Sequence, residues 1–157
     1  MENKLDATFF GAVGQIGYAV RDVDRAVEHY RTLNGSAHPF NRFEVVLDSS
    51  NGYRYLGCPA ACRLKIATVS VNGIDFEFIE VLDGRHPAGD YLEVHGEGIN
   101  HLGLYVADLE PLLSKVIDTG GRVIIEGSFT LSSDRKGRFA YVQLDDSPYP
   151  LYELVQM

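Results

Sequence analysis

Two stretches of the chain carry one rhythm of apolar and polar positions. In residues 14–36, "GQIGYAVRDVDRAVEHYRTLNGS", side chains alternate through Ile16, Tyr18 and Val20 until an aspartate interrupts at Asp22. Strict alternation predicts a strand with one buried face. An aspartate just before an amphipathic run predicts a helix N-cap. Ala26, Val27 and Tyr30 then fall on one helical face, and Gly35 ends the run. Residues 100–122, "NHLGLYVADLEPLLSKVIDTGGR", repeat the pattern at an offset of 86 positions. Gln15 falls on His101, Gly17 on Gly103, Val20 on Val106, Asp22 on Asp108 and Gly35 on Gly121. The second helix has Leu112, Leu113 and Val116 on its apolar face. Pro111 sits in its first turn, where a missing N–H costs little. Agreement of pattern, caps and spacing points to an internal duplication.

The segments after each helix correspond too. "RFEVVLD" (42–48) reads as a strand, followed by a polar, glycine-containing loop to Pro59. "RLKIATVSV" and "IDFEFIEV" follow, joined by Asn72-Gly73, a strong hairpin signal between two β-rich runs. In the second half the strands are "RVIIEG", "RFAYVQL" and "LYELVQ", with "DDSPYP" as the last turn. Each half reads β-α-β-β-β, so the chain is one α+β domain of about eight strands. Its modules cover about 13–82 and 99–156. "LDGRHPAG" (82–89) is the stretch richest in turn formers.

Strand parity sorts the side chains. The uniformly apolar set of each first strand (Ile16, Tyr18, Val20; Leu102, Leu104, Val106) faces the helices. Gln15 and His101 then look out from the opposite face, beside glycines that leave room. In each last strand a carboxylate shares that second face, Glu77 in "DFEFIEV" and Glu153 in "PLYELVQ". Glu80 competes with Glu77, but parity puts it with Phe76 and Phe78. If the halves curve toward each other, Gln15, Glu77, His101 and Glu153 converge. One imidazole nitrogen and three oxygen donors suit one divalent ion such as Zn, Ni, Co or Mn. Singly, each residue has a plainer reading: a sheet histidine satisfied by a carbonyl, and ordinary polar-face glutamates and glutamine. Their matching places in a repeated unit set them apart.

Composition narrows the partners. With 157 residues, 45% of them hydrophobic, and no apolar run long enough to cross a bilayer, the chain reads as soluble and away from membranes. The N-terminus lacks a basic region followed by an apolar segment, which predicts a cytoplasmic protein without a secretory leader. The formal net charge of −8 argues against nucleic acid as a partner. Cys58 and Cys62, spaced C-x3-C with no second pair nearby, read as two thiols rather than a redox or zinc motif. "DRKGR" (134–138) is a solvated loop or a positively charged flap over an anionic substrate.

On "QIGYAVRD", "EFIE", "NHLGLYVAD" and "YELVQ" the chain resembles the vicinal oxygen chelate superfamily, which includes glyoxalase I, methylmalonyl-CoA epimerase and extradiol dioxygenases. The resemblance runs from about Val13 to Gln156. It implies a cupped, pseudo-twofold eight-stranded sheet with a metal between the modules, held by Gln15, Glu77, His101 and Glu153. The set Gln/Glu/His/Glu is similar to that of eukaryotic-type glyoxalase I, whereas "HGEGINHLGLYV" is similar to the epimerases. Two departures matter. Ala19 and Glu97 stand where glyoxalase I carries glutathione-binding arginines, and the Glu-Gln-Gly segment of the epimerases is missing. Gln15 in the first slot also disfavours the two-His, one-carboxylate site of the dioxygenases.

The resemblance therefore implies a metal-dependent isomerase, epimerase or lyase that stabilises an enolate or enediolate of a small 2-oxo, acyl-CoA or hydroxyketone substrate. Glu153, with Glu77 as its counterpart, would be ligand and base. The alternative is a non-catalytic, antibiotic-sequestering binder whose pocket is lined by Tyr18, Tyr53, Tyr55, Tyr91 and Tyr105. A homodimer is expected by analogy, since open sheet edges benefit from a partner.

Overall fold

The alternation at the start of the first repeat forms β1 (Val13–Ala19), and Asp22 opens α1 (Val23–Asn34) by accepting from the Arg25 N–H at 3.0 Å. Asp108 does the same for α3 (Leu109–Asp118), after β7 (Gly98–Val106). The structure, a computed structural model, describes residues 12–35, 37–144, 146 and 149–157. The leader reading of the N-terminus and part of the "DDSPYP" turn lie outside the described residues.

The remaining strands are β2 (Asn41–Leu47), β3 (Arg54–Tyr55), β4 (Cys58–Pro59), β5 (Cys62–Val71), β6 (Ile74–Gly84), β8 (Arg122–Ser132), β9 (Arg135–Gln143) and β10 (Leu151–Gln156). They form one sheet in the order β2-β5-β6-β1-β7-β10-β9-β8-β3-β4. Eight long strands match the expectation. Two short ones correct it, because the polar loop before Pro59 is partly paired. After β2 at one edge, the chain makes a short helical turn at Ser49–Asn51 and lays β3 against β8 near the other edge. Ser128 Oγ donates to Asn51 O at 3.1 Å across the same seam. The connecting loop thereby runs from the β2 edge of the curled sheet to a strand near its opposite edge.

A second correction concerns residues 82–89, which do not form an open turn. β6 runs on to Gly84, and a third helix, α2 (Pro87–His95), follows directly. Pro87 takes the first helical position, where its fixed φ favours a helix start, and Gly96 closes the helix with φ of 75°. The expected Asn72-Gly73 hairpin is present, with both residues at positive φ (52° and 82°) as a tight turn between twisted strands requires.

Three packed clusters result. α3 buries Leu109, Leu112, Leu113 and Val116 against Leu104, Ala140, Val142 and Leu154. α1 buries Val23 and Val27 with Val20, Ala67 and Phe78. Inside the cup, Tyr53, Tyr55, Leu64, Ile66, Ile79, Ile125 and Tyr141 form the third core. Each buried Leu or Ile contributes about 1.5–3 kcal/mol by leaving water. Helix entry is tied to the last strand of each half: Glu80 accepts from the Val23 N–H at 2.9 Å and Gln156 accepts from the Leu109 N–H at 2.8 Å. Glu80 thus caps α1 on the helix face of the sheet, as its parity predicts. Among the described residues, no helix is long and apolar enough to cross a membrane.

Candidate metal centre

β1 and β7 run antiparallel, with Gln15 opposite Gly103 and Gly17 opposite His101. On their far sides, Gly17 neighbours Glu77 of β6, and Gly103 neighbours Glu153 of β10. Two rows of side chains thus cross the cup floor: Glu77, Gly17, His101 and, beside it, Gln15, Gly103, Glu153. In each row the middle residue is glycine for a steric reason. A Cβ on Gly17 would lie 1.8 Å from His101 Cε1, and one on Gly103 would lie 2.6 Å from Gln15 Cβ and Oε1. Each glycine is the space in which a neighbour's polar side chain lies.

The imidazole of His101 is fully buried. Its Nε2 stands 3.4 Å from Glu77 Oε2 and 3.3 Å from Glu153 Oε2, and the donor atoms of these three residues lie within 4.8 Å of one another. Two donors bound at about 2.1 Å to one ion are separated by about 3.0 Å at a right angle and about 3.4 Å at a tetrahedral angle, so the spacing suits a shared cation. Gln15 Oε1 and Glu153 Oε2 are buried without a hydrogen-bond partner, as oxygens meant for an ion would be. His101 Nδ1 lies 2.9 Å from Asn100 Oδ1. That carbonyl oxygen accepts a hydrogen bond from Nδ1–H, which leaves the Nε2 lone pair facing the carboxylates, the usual way a metal-binding histidine is oriented.

Electrostatics agree. Burial alone would push the His101 imidazole down, but hydrogen bonding and charge from Glu153 and Glu77 outweigh it, so a proton held there has a pKa raised to about 9. Burial pushes the Glu153 carboxyl above its usual range, against the pull of His101. The site holds positive charge strongly, whether a proton or a metal supplies it.

Sequence reasoning missed three neighbours. Tyr141 pairs with Glu153 across β9 and β10, and its ring lies 4.7 Å from that of His101. Its hydroxyl lies 3.4 Å from His101 Nε2. Its parity with Phe139 and Gln143 in "RFAYVQL" already placed it on the polar side of its strand. Asn100 was hidden because it precedes the histidine rather than sharing its face. His86 lies in the stretch taken for a turn.

The tyrosines expected to line one pocket are dispersed. Tyr53 and Tyr55 belong to the interior core, Tyr18 lies on the outer face against Phe78, Tyr91 packs from α2 on Tyr149, and Tyr105 reaches Asp75 at the sheet end. Glu97, which stands where glyoxalase I carries an arginine, is bonded within the chain. It accepts from the Arg21 N–H and from Arg25 Nη2, both at 2.8 Å, tying α1 to the start of β7. Cys58 is exposed, Cys62 is buried, and both are free. The "DRKGR" stretch forms the turn and start of the β8–β9 hairpin, with Arg138 paired to Glu110 at 2.6 Å.

A sequence profile for the Glyoxalase/Bleomycin resistance protein/Dioxygenase superfamily matches residues 14–141, and the chain belongs to that superfamily. Solved structures share the fold at low identity. Methylmalonyl-CoA epimerase from Mycobacterium tuberculosis is 21% identical with a TM-score of 0.62, over 95% of this chain and 92% of that one. A methylmalonyl-CoA epimerase in complex with methylmalonyl-CoA and NH4+ is 22% identical with a TM-score of 0.58, over 92% of each chain. A variant 4-hydroxymandelate synthase from Streptomyces coelicolor is 15% identical with a TM-score of 0.59, over 92% of this chain and 48% of that one. No curated protein sequence matches the chain.

Proposed function

We propose that the protein is a metal-dependent isomerase, epimerase or lyase acting beside the carbonyl of a small 2-oxo, acyl-CoA or hydroxyketone substrate. The observation that carries this reading is the close grouping of Glu77, His101 and Glu153 donor atoms, with Gln15 Oε1 and Glu153 Oε2 buried and unpartnered beside it. Gln15, Glu77, His101 and Glu153 would hold one divalent ion: Zn, Ni, Co or Mn. Such an ion supplies Lewis acidity toward the carbonyl oxygen of a bound substrate.

The chain's own residues do the rest. Asn100 fixes the His101 ring through Nδ1. Glu153, its carboxyl raised by burial, is the better placed of the two carboxylates to take a proton from carbon and return it. Tyr141, buried and kept protonated by that burial, offers a hydroxyl at the same place. A cytoplasmic homodimer that uses the open β2 edge belongs to the same reading.

Elemental analysis of purified protein, alongside Glu77→Ala/His101→Ala, tests the site. One equivalent of transition metal in the native protein and none in the variant is expected. Solvent deuterium incorporation into 2-oxo acids, acyl-CoAs and hydroxyketones then tests the chemistry, and Glu153→Gln should retain metal while losing exchange. Full exchange by Glu153→Gln would remove Glu153 as the base.

A second reading, a non-catalytic binder, draws on a different place. A cavity of about 650 Å³ lies on the outer face between α1 and the sheet, walled by Tyr18, Tyr30, Phe76 and Phe78. Small-molecule binding that survives Glu77→Ala/His101→Ala but is lost in Phe76→Ala would favour it.

A further inference from the structure

The seam between helix and sheet is built twice in this chain, with different fillings. At the offset that relates the halves, Ala26 of α1 falls on Leu112 of α3, and Tyr18 of β1 falls on Leu104 of β7. In the second half Leu112 is 4% exposed, in one packed cluster with Leu104 and Leu154. In the first half a methyl group stands where the other half has an isobutyl group. Ala26 there lines the cavity of about 650 Å³ between α1 and the sheet. Its size falls within the ~300–1,000 Å³ range of small-molecule sites.

The two long walls of this slot differ in kind. On the sheet side Tyr18 is paired with Phe78 across β1 and β6. The Tyr18 ring lies 5.3 Å from Phe78 and 6.5 Å from Phe76, with planes only 29° and 24° apart. The three rings make a nearly level aromatic floor. Phe40 meets both Phe78 and Tyr30, at 6.0 and 5.1 Å, and so ties the floor to the helix. On the helix side Ala26, Tyr30 and Leu33 stand at i, i+4 and i+7, so the slot follows α1 for about 10 Å. Tyr18, Tyr30 and Phe76 are only half-buried, and Leu33 is 70% exposed. These rings line an opening and are not sealed in a core.

Arg25, His29 and Glu97 supply the polar lining. Glu97 is already committed, since its Oε1 accepts from the Arg21 N–H and from Arg25 Nη2. That bond leaves the rest of the Arg25 fork, on a side chain 66% exposed, for a second carboxylate.

We infer that this slot binds a flat aromatic carboxylate, with its ring on Tyr18, Phe76 and Phe78 and its carboxylate on Arg25. An aromatic floor favours offset stacking of a flat ring over contact with a flexible chain. The inference rests on the second reading above and deepens it by naming the ligand class. It needs nothing from the metal centre, which lies on the opposite face of the sheet.

The test is calorimetric titration of the full chain with 2-naphthoate, 2-naphthalenemethanol and decanoate, with a chelator present to keep the acids off any metal. Native protein is compared with Ala26→Leu, Phe76→Ala, Arg25→Gln and Glu77→Ala/His101→Ala. Ala26→Leu copies the filled seam of the second half, so it should keep or raise the thermal midpoint and lose 2-naphthoate binding. Phe76→Ala takes one ring from the floor and should weaken that binding as well. Arg25→Gln should weaken 2-naphthoate about tenfold and leave 2-naphthalenemethanol unchanged. Decanoate should bind native protein more weakly than 2-naphthoate, and Glu77→Ala/His101→Ala should bind as native protein does. Equal binding of 2-naphthalenemethanol or decanoate and 2-naphthoate, each lost in Ala26→Leu, would overturn the ligand class and leave the binder reading standing. Binding lost in Glu77→Ala/His101→Ala but kept in Ala26→Leu would place the acid at the metal centre and overturn the inference. No saturable binding of any of the three compounds by native protein would overturn the binder reading and this inference together.

Discussion

The two halves of the cup floor have the same backbone and different contents. Gly17 lies between Glu77 and His101, and Gly103 lies between Gln15 and Glu153. Yet His101 is fully buried and anchored by Asn100, whereas Gln15 is only partly buried and its amide oxygen has no partner. The strand register, which both halves share, sets where a polar side chain lies. The side chain itself decides how strongly that place holds a charge.

The glycines break this comparison most severely. In Gly17→Ala the new methyl would overlap the fully buried imidazole ring of His101. The expected cost is about 1–3 kcal/mol of stability together with loss of metal binding, since overpacking displaces the ring. Gly103→Ala meets the flexible Gln15 and should cost less and keep metal. Thermal melts and metal content of the two variants read both effects, and equal damage in both would refute the asymmetry.

Replacing the side chains themselves comes next. His101→Gln makes the second half like the first and should abolish metal retention through dialysis, while Gln15→Ala should weaken it without abolishing it. Asn100→Ala removes only the ring's anchor, and a loss of about 10–100-fold in metal affinity is expected, as for other outer partners of a ligand. Affinity unchanged in Asn100→Ala would mean that packing alone orients His101.

Protonation sharpens the same contrast. The folded pKa of His101 is raised from 6.5 to about 9. The stability contributed by its proton is therefore complete below about pH 6.5 and lost as pH rises through about 9. Melting temperatures with a chelator present should fall across that window in native protein and not in His101→Gln. Added metal should remove the fall by taking the proton's place. The smallest effect is expected at the helix entries, where Glu80→Ala should cost about 1 kcal/mol by leaving the Val23 N–H uncapped.

Much of this arrangement was legible beforehand because it rests on period and parity. Alternation fixed which faces Gln15, Glu77, His101 and Glu153 occupy, and the glycine two residues after each first-strand polar residue marked the space. What escaped detection depended on contacts between distant segments. Two-residue strands such as β3 and β4 are too short to carry a period, and exist only because β8 is there to pair with Tyr55. α2 hid behind "GRHPAG", whose glycines and proline signal a turn unless a histidine is admitted as a cap. Tyr141 was readable from parity, but only the fold set its ring against His101.

The loop between β2 and β5 has a consequence for how the molecule is assembled. The chain leaves one rim of the sheet, fastens itself to a strand near the far rim that is synthesised much later, and returns. Tyr53 and Tyr55, carried by that excursion, cannot find their interior places until β8 exists. The first half, though complete in strands and helix, is therefore not an independent folding unit. Severing the chain at Gly96 should give two fragments that fold only together, and the first half should wait during synthesis for the second.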